Sequence, residues 1–283
     1  MLFRSDGPGI RTTLFFKGCN LRCQWCHNPE SFRRTPELEW FPRQCISCGA
    51  CEGVCPNGAA PLLLLGEAER ERFRLLCSEC GTCTLVCHAG ARVLAGRIWT
   101  VGEVLPVVLA DKAFYRRSGG GVTCSGGEPL LQPAFLEGIL HALRAEGIHT
   151  ALDTAGNVPW PVFERVLPLV DLVLFDFKVL DEEAHQAATG VGNRLILENL
   201  ALLCEKGIPL WVRIPVVPGV NASDEVLAGM AFHLRTIGHH GKTELLPMHH
   251  MGSGKYESLG RVWPMQDVAA PEDESMRRWR GLF

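Results

Sequence analysis

The chain has 283 residues, of which 47% are hydrophobic and 21% charged, and its formal net charge is −3. This length allows one or two domains, and the composition excludes a mainly disordered chain. The net charge lacks the basic excess of a nucleic-acid-binding protein, and no apolar run reaches the length of a membrane span. The N-terminus has no apolar signal-peptide core, so we expect a cytoplasmic protein that binds neither nucleic acid nor membrane.

The first predicted element is a β-like run at 12–17, which leads into a C-x3-C-x2-C group made by Cys19, Cys23 and Cys26. No fourth cysteine follows at a ligand-like distance. Three thiolates would hold a [4Fe–4S] cluster with one open iron, and an open metal position can bind and activate a substrate. A third closed cluster, or a zinc site that uses His27, is the alternative interpretation.

The next segment contains two C-x2-C-x2-C-x3-C runs that repeat after 32 residues. This spacing resembles that of two-cluster ferredoxins, in which three cysteines of one run share a [4Fe–4S] cluster with the last cysteine of the other. Two four-cysteine zinc sites are the alternative, although zinc favours separated pairs over unbroken runs. On the ferredoxin pattern one cluster takes Cys45, Cys48, Cys51 and Cys87, and the other takes Cys77, Cys80, Cys83 and Cys55.

From about residue 99 the sequence alternates between helical and strand patterns. Strands are predicted at 121–125, 149–153, 172–177, 209–215 and 243–247, and helices at 100–112, 132–146, 161–167, 193–206 and 223–237. With the first run this gives six strands, each but the last followed by a helix, which is typical of parallel βα units. A barrel and an open doubly wound sheet both fit this α/β pattern.

Polar residues follow the predicted strands at their carboxyl ends, where barrel enzymes build their sites. The pair Gly126 and Gly127 permits close approach of the backbone to a ligand, and Glu128 can accept a hydrogen bond from an ammonium group. Ordinary strand-end polarity explains each residue taken alone, and an exposed ion pair would explain the arginine. The strand-end residues are Gly126, Gly127, Glu128, Asp153, Thr154, Asp176, Phe177, Lys178, Arg213 and His249.

Residues 18–30 (GCNLRCQWCHNPE) resemble the cluster motif of radical S-adenosylmethionine (SAM) enzymes. With the upstream segment 6–12 (DGPGIRT) and the two ferredoxin-type runs, nearly the whole chain resembles the glycyl-radical-enzyme activating enzymes. Only five residues precede Asp6, where members of this family usually carry a further, often β-like, segment.

The resemblance implies a partial (β/α)6 radical SAM barrel with an inserted ferredoxin-like domain that binds two clusters. It also implies that an iron of the three-cysteine cluster chelates SAM. One electron then cleaves SAM to methionine and a 5′-deoxyadenosyl radical, which removes hydrogen from a glycine of a partner enzyme. The expected cofactors are three [4Fe–4S] clusters, SAM and a monovalent cation.

By the same resemblance, the strand-end residues line the SAM site. Glu128 would bind the methionyl amino group, Lys178 would neutralise the carboxylate, and His249 would lie near the ribose. The resemblance assigns the cation to Asp153, Thr154 and Asp176, and it places Phe177, Arg213 and His27 at the same site. Trp25 offers an aromatic face for the adenine, and simple packing over the cluster explains it equally well.

Six strands would leave the barrel open at its side, so that a glycine loop of a partner glycyl radical enzyme can enter beside the segment from Asp6 to Arg11. Asp6 would bind the peptide backbone, or it is only a turn residue. We expect a monomer that takes electrons from a flavodoxin or a ferredoxin. The expected parts are 1–36 (first strand and cluster loop), 37–97 (insert) and 98–283 (rest of the barrel).

Three other functions fit parts of the sequence. One is a ferredoxin-type electron-transfer protein fused to an unrelated barrel, which leaves the three-cysteine group unexplained. Another is a radical SAM enzyme that modifies a peptide or a small molecule. The third is a zinc-binding interaction protein.

Overall fold

The computed structural model describes residues 6–64 and 67–283. The strands are β1 (Arg11–Phe16), β2 (Glu37–Trp40), β3 (Arg92–Ala95), β4 (Gly121–Gly126), β5 (His149–Thr154), β6 (Leu172–Asp176), β7 (Leu210–Val216) and β8 (Thr243–Pro247). The helices are α1 (Glu67–Leu76), α2 (Thr82–Leu85), α3 (Val101–Leu109), α4 (Lys112–Ser118), α5 (Pro133–Ala145), α6 (Trp160–Val166), α7 (Glu182–Thr189), α8 (Arg194–Glu205), α9 (Asp224–Thr236), α10 (Ser253–Ser258) and α11 (Asp273–Arg280). None of these helices is long and apolar enough to cross a membrane.

A six-stranded parallel sheet organises the larger part of the molecule, in the order β1-β4-β5-β6-β7-β8. Over the residues that the structure describes, β1 and β8 are the two edges of this sheet, so the barrel is open between them. The predicted α/β class and six-stranded barrel are therefore confirmed, and each predicted strand agrees with the observed one to within a residue or so.

Alternation along the strands separates two layers, because successive side chains point to opposite faces. Outward residues such as Val173 and Phe175 are fully buried under the helices, in the main core. Burying each such side chain contributes about 1.5–3 kcal/mol to stability. Inward residues such as Leu174 form a small apolar layer inside the barrel, and the polar residues of the site lie at the next inward positions towards the carboxyl ends.

Between β3 and β8, two helical segments differ from the prediction; α10 and α11, after the last predicted strand, were not predicted either. The predicted helix at 100–112 is instead two helices, α3 and α4, separated at Asp111, whose carboxylate accepts a hydrogen bond from Thr12 Oγ1 at 2.9 Å. The second difference is α7, which the sequence did not predict. Its N-cap is Asp181, which accepts from Ala184 N at 2.8 Å.

The insert begins and ends in an antiparallel pair, β2 with β3. No strand was predicted there, because both strands have four residues and about fifty residues lie between them. The carboxylate of Glu37, at the start of β2, is buried and pairs with Arg261 of the C-terminal segment at 2.6 Å. Lys17 and Arg33 lie at 3.7 and 3.6 Å from the same carboxylate. The insert is therefore joined to the barrel through a charged contact with little exposure to water.

Candidate active site and cluster pockets

The three-cysteine loop follows β1 and is held by the end of α7. Arg22 N donates to Thr189 O at 2.7 Å, and Gln24 N donates to Ala188 O at 3.0 Å. These bonds fix the loop at the carboxyl end of the sheet. The unpredicted helix α7 therefore has a role at the site, because its last turn orients the cysteines.

The turn after β4 packs directly on the residue before the first cysteine. Gly127 N donates to Phe16 O at 2.8 Å, and Glu128 N donates to Gly18 O at 2.8 Å. A Cβ atom on Gly127 would collide with the Gly18 carbonyl, and Gly126 has a φ of +112°. The glycine pair thus allows two backbone segments to meet, in addition to any approach to a ligand.

The Glu128 side chain is fully buried and has three donors of its own. It accepts from Leu130 N at 3.2 Å, from Ala155 N at 2.9 Å and from Thr154 Oγ1 at 2.8 Å. Burial raises the pKa of Glu128 to about 7, although these hydrogen bonds favour its charged form. Glu128 therefore links the turns after β4 and β5. The Thr154 hydroxyl points to Glu128, so the structure does not group it with the two aspartates.

Asp153 and Asp176 are brought together inside the barrel by Arg213. The Arg213 guanidinium donates to Asp153 Oδ1 and, at 2.7 Å, to Asp176 Oδ1. Lys178 Nζ donates to Asp176 Oδ2 at 2.9 Å, and Ser125 Oγ donates to Asp153 Oδ2 at 2.6 Å. Because Arg213 is only 6% exposed, an exposed ion pair is excluded. Two half-buried anions and two buried cations balance one another at this position.

Pairing sets the charges of Lys178 and Asp176, whereas burial raises the pKa of Asp153 in spite of Arg213. Burial opposes the charge on Lys178, but Asp176 and the neighbouring Cys23 thiol raise the pKa of its ammonium group. Burial alone would raise the pKa of Asp176, but Arg213 and Lys178 together lower it to about 2. A permanent cation therefore lies beside the cysteine loop, where an anionic ligand group could be neutralised.

Two predicted residues that lie far apart in sequence, His27 and His249, stack on each other. Their ring centroids are 4.0 Å apart, and the distance between His27 Nε2 and the His249 carbonyl oxygen is 3.1 Å. Burial, assisted by His249, lowers the pKa of His27 to about 4, so the ring is neutral at pH 7 and its Nε2–H donates to the carbonyl. Trp25 is 6% exposed and packs with Met248 and Trp263. This placement favours the packing interpretation of Trp25.

Two predicted side chains lie away from the strand-end cluster. Phe177 is buried in the main core, with its ring 5.8 Å from that of His233 on α9. Arg11 lies at the amino end of the strands, where its guanidinium donates to the carbonyl oxygens of Val122 at 2.7 Å and His149 at 3.3 Å. Arg11 therefore links the starts of three strands.

Asp6 faces the interior of the barrel beside β1 and β4. Its carboxylate accepts from Thr13 Oγ1 at 3.0 Å, and its carbonyl oxygen accepts from Thr123 Oγ1 at 2.6 Å. Asp6 also contributes to the raised pKa of Arg213. The side chain is half-buried, so the carboxylate is within reach of a group that enters from the open side.

Sequence reasoning missed Tyr256, which lies next to the cysteine loop. Its hydroxyl is buried without a hydrogen-bond partner among the described residues, and burial together with the Cys26 and Cys23 thiols raises its pKa. A lone tyrosine in a C-terminal segment carries no motif, and 230 residues separate it from Cys26, so the sequence held no signal for it.

Two pockets in the insert are lined by cysteines of both runs, the grouping that the two-cluster ferredoxin pattern predicts. We call them the Cys48 pocket and the Cys80 pocket. The Cys48 pocket is lined by Cys45, Cys48, Cys51 and Cys87, and the Cys80 pocket by Cys55, Cys77, Cys80 and Cys83.

The sulfur atoms receive backbone hydrogen bonds in both regions. In the insert, Ala59 N donates to Cys55 Sγ at 3.2 Å, and Glu79 N donates to Cys77 Sγ at 3.4 Å. In the first loop, Cys26 Sγ accepts from a backbone N–H at 3.4 Å. Such bonds favour thiolates and are one way in which proteins tune iron–sulfur clusters. The donor chemistry of all three groups therefore fits iron–sulfur clusters.

Comparison with protein families agrees with this geometry. The radical SAM superfamily model matches residues 85–231, and a 4Fe-4S binding domain model matches residues 38–60. The isethionate sulfite-lyase activating enzyme of Desulfovibrio desulfuricans is 43% identical over 93% of this chain and 86% of its own. The choline trimethylamine-lyase activating enzyme of Oleidesulfovibrio alaskensis is 41% identical over 96% of this chain and 89% of its own. The trans-4-hydroxy-L-proline dehydratase activating enzyme of Clostridioides difficile is 40% identical over 98% of this chain and 92% of its own.

The chain belongs to the radical SAM superfamily, and within it to the glycyl-radical-enzyme activating enzymes. It is an oxidoreductase that binds [4Fe–4S] clusters and SAM, and its protein substrate is a glycyl radical enzyme. The bound cofactors supply a 5′-deoxyadenosyl radical, which removes hydrogen from a glycine of that partner. This assignment is favoured over an electron-transfer protein, another radical SAM activity or a zinc-binding protein.

Proposed function

We propose that the chain holds three [4Fe–4S] clusters, one at Cys19, Cys23 and Cys26 and one in each pocket of the insert. The observation that carries the proposal is the position of the three-cysteine loop, at the carboxyl end of an open parallel sheet and next to buried charged side chains. Three thiolates leave one iron free to bind SAM. The two pockets of the insert each provide four cysteines, which supports closed clusters there.

The strand-end cluster would bind the methionyl part of SAM. Lys178 neutralises the carboxylate, because its ammonium group is permanently charged and lies beside the cysteine loop. Glu128, with the backbone around it, orients the amino group. A monovalent cation at Asp153 and Asp176 would have to share these carboxylates with Arg213. We therefore propose that the cation binds there only when SAM is bound, and that the backbone of Thr154 helps to hold it. His249, stacked on His27, borders the ribose.

The open side of the barrel would admit the glycine loop of the partner. The gap between β1 and β8 and the inward position of Asp6 support this route. Asp6 binds the peptide backbone. The buried contacts of Arg11 support an indirect role, in which Arg11 keeps the segment from Asp6 to Arg11 ordered.

The remaining parts of the proposal concern the setting of the reaction. The enzyme acts in the cytoplasm as a monomer, and a flavodoxin or a ferredoxin supplies the electron. Residues 37–97 form the cluster-binding insert between 1–36 and 98–283, and the β2–β3 pair at its base supports this division. The partner acts on a small polar molecule, as the names of the three relatives above indicate for theirs; their similar identities do not distinguish between those partners.

Metal content and partner activation test the proposal directly. Anaerobically reconstituted protein should contain about twelve irons, four for each cluster, and no stoichiometric zinc. With SAM, a reductant and a panel of candidate glycyl radical enzymes, EPR spectroscopy should detect a glycyl radical in one of them. About eight irons, or a zinc-loaded insert, would contradict the three-cluster proposal.

Paired cysteine variants test which run supplies the fourth ligand. Cys48→Ala and Cys87→Ala should perturb the EPR signal of the same cluster, because both residues line the Cys48 pocket. Cys80→Ala and Cys55→Ala should perturb the other signal. All four variants should affect SAM binding only mildly and partner activation more strongly. If instead Cys87→Ala perturbs the same signal as Cys80→Ala, each run holds its own cluster.

A further inference from the structure

Arg92 lies in the wall between the two pockets of the insert and is 3% exposed. It stands at the start of β3, directly opposite Trp40 of β2. Its Nη2 donates to the carbonyl oxygen of Ala60, a residue that lines the Cys80 pocket, at 2.8 Å. Arg92 itself lines the Cys48 pocket. The pairing of β2 with β3 therefore places one guanidinium against both cluster sites.

The second terminal nitrogen of this guanidinium has no partner in the part of the chain that the structure describes. Arg92 Nη1 is buried and makes no hydrogen bond to any described residue. A buried charged donor without an acceptor is costly, so such groups point to a ligand or another unobserved partner. Sulfurs are the acceptors that the adjoining pocket offers, because Arg92 lines it together with Cys45, Cys48, Cys51 and Cys87.

We propose that Arg92 is a positioning residue that donates to the sulfur atoms of the two inserted clusters and raises their reduction potentials. Each cluster gains negative charge when it takes up an electron. A buried cation that donates to its sulfurs therefore stabilises the reduced state more than the oxidised one. This inference rests on the proposed occupation of both pockets by [4Fe–4S] clusters.

The two pockets differ in their other charged groups, and this difference allows the effect of Arg92 to be measured separately in the Cys48 pocket. Glu79 lines the Cys80 pocket, but its carboxylate is paired with Arg33 at 3.0 Å. In the Cys48 pocket, Arg92 is the charged residue of the lining. Removing Arg92 therefore takes away a cation that no other lining residue of that pocket replaces.

The test uses the full-length chain with Cys19, Cys23 and Cys26 changed to alanine, so that only the inserted clusters remain. Their potentials are measured by EPR-monitored redox titration after anaerobic reconstitution. Arg92→Met should shift the reduction equilibrium of at least the cluster in the Cys48 pocket about tenfold towards the oxidised form, which is about 59 mV for one electron. Arg97→Met removes the same charge from an exposed pair with Glu103 and serves as the matched control, with no shift expected.

Arg92→Lys should stay closer to the unsubstituted potentials, because it keeps the charge and loses only the forked geometry. If Arg92→Met fails to assemble its clusters, the potentials are measured in Arg92→Gln instead, because the glutamine amide can still donate to the Ala60 carbonyl. Iron retained in the lysine variant alone would also support a requirement for charge.

Three results would overturn the inference. They are unchanged potentials in Arg92→Met, an equal shift in Arg97→Met, or loss of iron from the methionine, glutamine and lysine variants alike, which would indicate a structural role only. Fewer than about eight irons with Arg92 intact would instead contradict the proposed occupation of the pockets. Iron content thus distinguishes failure of the proposed function from failure of this inference.

Discussion

The barrel and the insert both present cysteines for clusters, but they position them in opposite ways. In the barrel, the cysteine loop is held by α7, which packs in the apolar cluster of Trp25 and Met248, and by the turn after β4, which rests on the main core. In the insert, the cysteines are close in sequence, the strands have four residues, and few side chains are buried. The barrel site is thus formed by packing, whereas we expect clusters bound in the insert to supply much of its stability.

The comparison predicts its largest effect for loss of a ligand at the packed site. In Cys23→Ala the cluster loses one of only three thiolates, so SAM cleavage should fall to background while about eight irons remain in the insert. Reductive formation of 5′-deoxyadenosine and total iron are the measurements. Cys204→Ala, on helix α8, is the control and should keep both. Cleavage at a near-normal rate in Cys23→Ala would exclude the proposed SAM site.

Iron removal should separate the two regions. After anaerobic chelation, amides of residues 41–64 and 67–96 should lose protection from hydrogen exchange, because their small core does not replace the cluster bonds. Amides of β4 to β7 should remain protected, since their packing involves no cysteine ligand. Equal loss of protection in both regions would mean that the barrel also requires its metal.

Within the barrel, Arg213 should matter far more than an exposed arginine. Arg213→Met removes the buried partner that Asp153 and Asp176 share, and breaking such a pair costs about 3–5 kcal/mol. The free energy of unfolding from denaturant titration should fall by about that amount, and SAM affinity should fall with it.

Arg165→Met supplies the matched control for this prediction. Its guanidinium pairs with Glu137 at 2.6 Å but is 52% exposed, so its loss should cost less than about 1 kcal/mol. Similar losses in the two variants would show that the strand-end charges are already solvated and do not form a preorganised site.

The two regions also differ in how much the sequence revealed. Apolar runs that end in polar residues predicted the six strands, because the carboxyl ends of parallel strands meet at one edge. The stacking of His27 on His249 and the place of Tyr256 could not be predicted, since each depends on contacts across more than 200 residues. The outward direction of Phe177 follows from strand alternation once Asp176 is known to point inward.

In the insert, the cysteine spacing predicted which cysteines line each pocket but none of the backbone around them. Four-residue strands have no measurable periodicity, so the β2–β3 pair was missed, and Arg92 with it. A charged residue in a strand is predicted to be exposed to solvent unless its partner strand is known. The sequence therefore predicted the cysteines that line the two pockets and not the arginine that lies between them.

The smallest expected effect concerns partner contact at the open side of the barrel. Asp6→Ala should slow glycyl radical formation on the partner about tenfold, since it removes one hydrogen bond that is made only with the bound peptide. SAM cleavage without partner should continue at its normal rate, because Asp6 contacts Thr13 and Thr123 and none of the cysteine loop. The two rates are measured on the same reconstituted protein.

Thr13→Val distinguishes a peptide contact from a structural one at Asp6. The valine keeps the shape of Thr13 but cannot donate to the Asp6 carboxylate. If Asp6 only anchors its own loop, Thr13→Val should reproduce the defect of Asp6→Ala; if Asp6 binds the peptide, Thr13→Val should activate the partner at nearly the normal rate. Equal loss of SAM cleavage and partner activation in Asp6→Ala would instead place Asp6 among the residues that support the SAM site. This is the main competing outcome, because Asp6 contributes to the raised pKa of Arg213.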